Sequence, residues 1–157
     1  MLSFLTFLAA YTLSQFYRSF LAVIAPELAQ ELALDPQALG NLQALWILGF
    51  VATQFPVGWA LDTVGPRRTV ALQMLAAVAG AFLFASAQSA AALNAAMLLI
   101  GAGCGSIYMG ALYVFGREAE PSRFALLCSL LLGLGTAGNL AAASPLGLAA
   151  ETIGWRS

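Results

Sequence analysis

The chain has no histidine, two cysteines and very little charge. Each shortage removes a class of function. Without histidine there is no Cys–His or Ser–His catalytic pair and no histidine-bound zinc. Cys104 and Cys128 form no CxxC and fall in apolar segments, where they read as small core residues. No motif calls for a cofactor. Charged residues are 8% of the 157, against about 25% in an ordinary soluble domain. A chain this poor in charge does not stay in water. A net charge of −1 offers nucleic acid no basic surface.

What fills the chain is apolar: 61% hydrophobic residues and a mean hydropathy of +0.88. The few charges are clustered. Residues 36–61, 69–116 and 124–150 contain no Asp, Glu, Lys or Arg, and residues 1–25 contain only Arg18. A membrane-spanning helix takes about 20 apolar residues. The runs therefore predict an all-α membrane protein with five transmembrane helices, at about 4–25, 38–60, 70–88, 91–115 and 124–149. A β-barrel would alternate apolar and polar residues, and these runs do not. A signal peptide, the rival reading of residues 1–20, wants a basic start, and "MLSFLTFLAAYTL" has none. "SAQSAA", Ser86–Ala91, is the expected tight turn between the third and fourth helices.

Arginine placement sets orientation. The first connection carries Glu27, Glu31 and Asp35 and no base. The second carries Arg67 and Arg68, the third is neutral, and the fourth, "GREAEPSRF", carries Arg117 and Arg123. Basic and base-free loops alternate, which places the N-terminus in the cytoplasm and the end at Ser157 outside. The expected location is the cell membrane, a bacterial inner membrane, with the lipid bilayer as the surrounding partner.

The second connection is "GWALDTVGPRR", Gly58–Arg68. The positive-inside rule accounts for the arginines, and Gly-Pro for a turn. It does not account for Asp62. An acid there faces the negative end of the helix dipole, so it needs a partner or a task. The spacing resembles the signature loop of the major facilitator superfamily, Gly-x-x-x-Asp-(Arg/Lys)-x-Gly-x-(Arg/Lys)-(Arg/Lys). Gly58, Asp62, Gly65, Arg67 and Arg68 stand at the matching places; Thr63 replaces the usual base. The resemblance implies an inner gate latch, in which Asp62 engages the other half of a transporter. Gly58 would permit a close helix approach there.

Other segments are similar to the same family. "RSFLAVIAPELAQELALDPQALG" looks like its first helix and outer loop. "GAGCGSIYMG" looks like its fourth helix, with Gly101, Gly103 and Gly105 expected on or near one packing face; Met97 stands where the family often has arginine. "GTAGNLAAASPLGLAAETIGWRS" looks like its fifth helix, with Ser144–Pro145 in place of Gly-Pro and Pro145 as a packing residue. The family has twelve helices in two halves, each built of three-helix inverted repeats. By that measure the chain is a partial N-terminal transmembrane domain, residues 1–157. It holds five helices of an incomplete six-helix bundle, and its implied partner is a missing C-terminal half.

Arg18 is the charge that lies well inside an expected span. An ionised group there costs roughly 2.5–3.5 kcal/mol on insertion scales and usually has a partner or a function. Tyr11, Gln15 and Arg18 recur at i, i+4 and i+7, on one helix face. A guanidinium fork beside two hydrogen-bonding groups suits a carboxylate or phosphate. The competing expectation is that Arg18 snorkels or pairs with Glu27. "YR…APEL" also resembles the family's organic-anion symporter branches, though Tyr17 stands where those often carry Asp. Since helices one, two, four and five line the cavity in the family, Tyr108 and Asn139 become further candidate substrate contacts, beside Arg18, Tyr11 and Gln15.

The expectation is thus a secondary transporter of small molecules, its substrate an organic anion, driven by a coupling ion such as a proton or sodium. The alternative is a five-helix structural or assembly subunit without transport of its own. Catalytic residues are not expected, because no span offers a paired acid or a nucleophile with its base.

Overall fold

The computed structural model describes residues 2–141 and 143. Among them every regular element is a helix: α1 (Leu2–Leu32), α2 (Pro36–Thr63), α3 (Pro66–Ser86), α4 (Ala90–Glu118), α5 (Pro121–Gly135) and α6 (Ala137–Ala141). The chain is an all-α membrane protein. Pro36–Thr63, Pro66–Ser86, Ala90–Glu118 and Pro121–Leu140 are each long and apolar enough to cross a bilayer. In lipid a backbone must satisfy its own polar groups, and the helix does so within one segment.

Local chemistry sets the helix starts. The Asp35 carboxylate accepts from Ala38 N at 2.7 Å, and Pro36 follows at the first helical position, where its missing N–H costs nothing. Ser89 Oγ accepts from Ala92 N at 3.3 Å and caps α4. Pro66 and Pro121 open α3 and α5 in the same way as Pro36.

Two elements differ from the sequence expectation. First, α1 does not stop near residue 25. It continues through Pro26, Glu27 and Glu31 to Leu32, so much of the expected outer loop is helical. Second, the expected fifth helix is not continuous. It breaks at Thr136, whose Oγ1 donates to Gly133 O at 2.6 Å, and resumes as α6. Pro145 and the rest of the expected helix to residue 149 lie outside the described residues.

Packing is organised around α4, which touches α1, α2, α3 and α5. Small residues permit the closest contacts, as expected where helices meet in lipid. The three glycines of "GAGCG" do not share one face. A Cβ on Gly101 would collide with the Trp46 carbonyl and one on Gly105 with Thr53 Oγ1, both on α2; a Cβ on Gly103 would collide with Ala77 on α3. Residues two apart on a helix point to nearly opposite sides, so α4 receives a helix on each. Thr53 Oγ1 and Gln54 Nε2 reach across to Ala102 O and Gly105 O, both at 3.4 Å. The core between α1 and α4 is built of Ile24, Leu28, Leu93, Met97 and Ile100, closed toward α3 by an edge-on Phe20–Phe84 pair. Large apolar side chains cover the outside: Phe55 is 89% exposed and Phe82 74%. Such a surface suits hydrocarbon and not water.

Candidate functional site

The site grows out of the setting of α1. Ser14 lies against Cys104 on α4. On the other flank Gly138 of α6 lies so close to Thr12 O that a Cβ there would collide with it. Helical geometry puts Tyr11, Gln15 and Arg18 on the arc between these two contacts. This arc is the open face of α1: Tyr11 and Gln15 are half-buried, and Arg18 is exposed.

Four of the five expected substrate contacts gather there. Gln15 Nε2 donates to the Tyr11 hydroxyl at 3.3 Å. The Tyr11 ring lies 5.8 Å from that of Tyr108 on α4, tilted by 39°. Arg18 is near enough to Tyr11 to act on it electrostatically. Asn139 of α6 is attached one residue further along: Ser19 Oγ donates to Asn139 Oδ1 at 2.7 Å. Asn139 is thus tied to Ser19, the neighbour of Arg18 in the chain but about 100° further round α1.

The alternative role for Arg18, pairing with Glu27, does not occur. The two residues sit on opposite faces of α1, and Glu27 Oε2 is buried without a hydrogen bond. Among the described residues Arg18 has no hydrogen-bond or ion-pair partner; the ion pair present is Arg123–Glu120 at 3.9 Å. An unpaired guanidinium on an open face of a helix within the bundle is free to receive an anion.

Sequence reasoning missed two groups. Ser19 was invisible because its partner lies 120 residues away in the chain. Gly135 was also missed: a Cβ there would strike the Tyr11 ring, so this glycine makes the room in which the ring lies. The sequence offered only the small-residue run Gly133–Thr136 as a signal, and that run reads as ordinary helix packing.

The gate motif is built differently. Gly65 holds φ +91° and ψ 158°, a region open in practice to glycine alone. It turns the chain between α2 and α3, and Thr69 Oγ1 secures the turn by donating to Gly65 O at 2.9 Å. Thr63 Oγ1 donates to Trp59 O at 2.9 Å, within its own helix. Asp62, Arg67 and Arg68 are all exposed, and among the described residues none has an ion-pair partner. Gly58 is not a point of close approach in this arrangement. A Cβ there would meet nothing nearer than the flexible end of Met109 at 4.0 Å. On α4, Arg117 lies over the Tyr113 ring at 4.4 Å, a cation–π contact at the same end of the bundle.

A family model described as Major Facilitator Superfamily matches residues 7–157. No curated protein matches the chain. With the match running from α1 through the end of the sequence, and with apolar helices packed by glycine around α4, the chain belongs to the major facilitator superfamily, a family of membrane transporters that move small substrates.

Proposed function

We propose that the protein is a secondary active transporter of organic anions, working by alternating access. In this reading the chain is the first part of a twelve-helix molecule, with five spans here and the N-terminus in the cytoplasm of a bacterial inner membrane. The observation that carries the proposal is Arg18, exposed and unpaired on the face of α1 between α4 and α5. A permanent charge held inside a membrane bundle without a counter-ion costs several kcal/mol unless a ligand supplies one. Tyr11, Gln15 and Tyr108 line the same face and give a bound anion hydrogen-bond partners and an aromatic wall. Transport coupled to a proton or sodium would let the anion move against its gradient.

Asp62 is the proposed latch. It stands exposed in the last turn of α2, where the helix dipole disfavours it. A partner in the other half of the molecule would explain why an acid stands there.

Uptake by the full-length protein tests the reading. Arg18→Gln should lower transport of an anionic substrate about 10- to 100-fold, the scale of losing a hydrogen bond to a charged group. Transport equal to wild type would end the anion reading. Asp62→Asn should cut uptake while membrane insertion, followed by quantitative blotting of membranes, stays unchanged.

A further inference from the structure

Two rings on the open face of α1 are held by their neighbours and still present surface. Gly135 of α5 lies so close to Tyr11 that a Cβ there would strike ring atoms Cδ1 and Cε1. The Tyr108 ring of α4 lies 5.8 Å from the Tyr11 ring, tilted by 39°. Gln15 Nε2 donates to the Tyr11 hydroxyl at 3.3 Å and ties it to its own helix face. Tyr11 and Tyr108 are nonetheless both half-buried. Arg18 stands two helical turns further along α1, about 10 Å by rise. Helical side chains lean toward the N-terminus, which carries the guanidinium toward the rings, and its charge is felt at Tyr11. Residues 90–116 and 124–141, which supply the flanks of α4, α5 and α6, hold no Asp, Glu, Lys or Arg. This wall is therefore cationic at Arg18 and aromatic and uncharged at its other end.

We propose that the site takes aromatic carboxylates. The acid group pairs with Arg18, and the flat ring lies against Tyr11 and Tyr108. The inference rests on the anion reading above and names the class of anion. A guanidinium can hold a carboxylate through two parallel hydrogen bonds, which fixes the direction in which the rest of the ligand extends. An aromatic ring has a negative face and a positive edge, so ring pairs gain beyond the area they bury. A saturated ring of the same carbon count has similar bulk and no such charge pattern. Rings already held in place also need little ordering when a ligand arrives, which lowers the cost of binding. A short aliphatic acid would occupy the Arg18 end and leave the two rings uncovered.

Binding is measured on purified full-length protein as thermal stabilisation over a concentration series. The ligands are benzoate, phenylacetate and phenylpropionate, each set against the acid with a cyclohexyl ring in place of the phenyl, with acetate and succinate as acids without a ring. Wild type should bind at least one aromatic acid about three- to tenfold more tightly than its cyclohexyl counterpart, the scale of one aromatic pair. Tyr108→Leu keeps apolar bulk and removes the ring, and should bring the two acids level. Tyr108→Phe should keep the preference. If Tyr108→Leu does not insert, Tyr11→Leu serves as the second ring-removing variant, and the wild-type comparison decides the aromatic preference without either. Equal binding of each aromatic acid and its cyclohexyl counterpart by wild type, with loss of both in Arg18→Gln, would overturn this inference and leave the anion reading intact. So would a preference that survives removal of each ring, or stabilisation by acetate or succinate and by none of the ring acids. Wild-type binding by Arg18→Gln, or no stabilisation of wild type by any of these acids, would end both.

Discussion

At the scale of single residues, glycines divide into those that hold helices together and those that do not. Gly101 faces the backbone of Trp46, so even a methyl group forces α2 away from α4. Overpacking of this kind costs about 1–3 kcal/mol. Gly101→Ala should therefore lower the melting temperature of the purified protein by several degrees, and a nanolitre-scale fluorescence melt would read it. Gly58→Ala should leave that temperature unchanged, because the space around Gly58 is open. Any loss of transport in Gly58→Ala would then report on another conformation of the gate and not on packing in this one. Gly65 differs again. Its cost on substitution comes from the backbone, about 1–3 kcal/mol for a side chain held in a region that disfavours it, and no repacking of neighbours can relieve it.

At the scale of elements, the helices were legible because charge, Arg18 apart, gathers toward their ends. Asp35, Arg67, Arg68, Arg117 and Arg123 bracket the apolar runs, and the structure turns near each of them. Two things were not legible. The extension of α1 past Pro26 was hidden because proline and two glutamates read as a loop. The break at Thr136 was hidden because Gly133, Gly135 and Thr136 resemble any small-residue packing stretch. Of the candidate site, the i, i+4, i+7 pattern gave the face of α1, and the Ser19–Asn139 tie needed three dimensions. The break has a testable role. It lets Gly135 pass over the Tyr11 ring, so Gly135→Leu should displace that ring and reduce substrate affinity more than it reduces expression. Competition binding set against surface abundance would measure the difference.

At the scale of the whole molecule, the arrangement is a hub with a second layer. α4 gathers α2 and α3, while α1 gathers α5 and α6, and the two groups meet along the α1–α4 core. The orientation proposed from the arginines is open to a direct check. In a variant without Cys104 and Cys128, Ser89→Cys should react with a membrane-impermeant maleimide added to intact cells. Pro66→Cys should react only after the cells are opened. The reverse pattern would invert the topology and with it the placing of Asp62 at the inner gate.

An uncompensated guanidinium within the bilayer also feels the transmembrane voltage, which acts on each elementary charge with about 2.3 kcal/mol per 100 mV when the whole field is crossed. In the proposed alternating-access cycle Arg18 would stay on the same helix while the side open to water switched around it, so the field it experiences would change too. An empty carrier of this design would carry one positive charge through that change. A carrier loaded with a monoanion alone would carry none, and one that also held a coupling proton or sodium would carry one. In the first case the interior-negative potential would act on the return of the empty protein and not on the delivery of its cargo; in the second it would act on both.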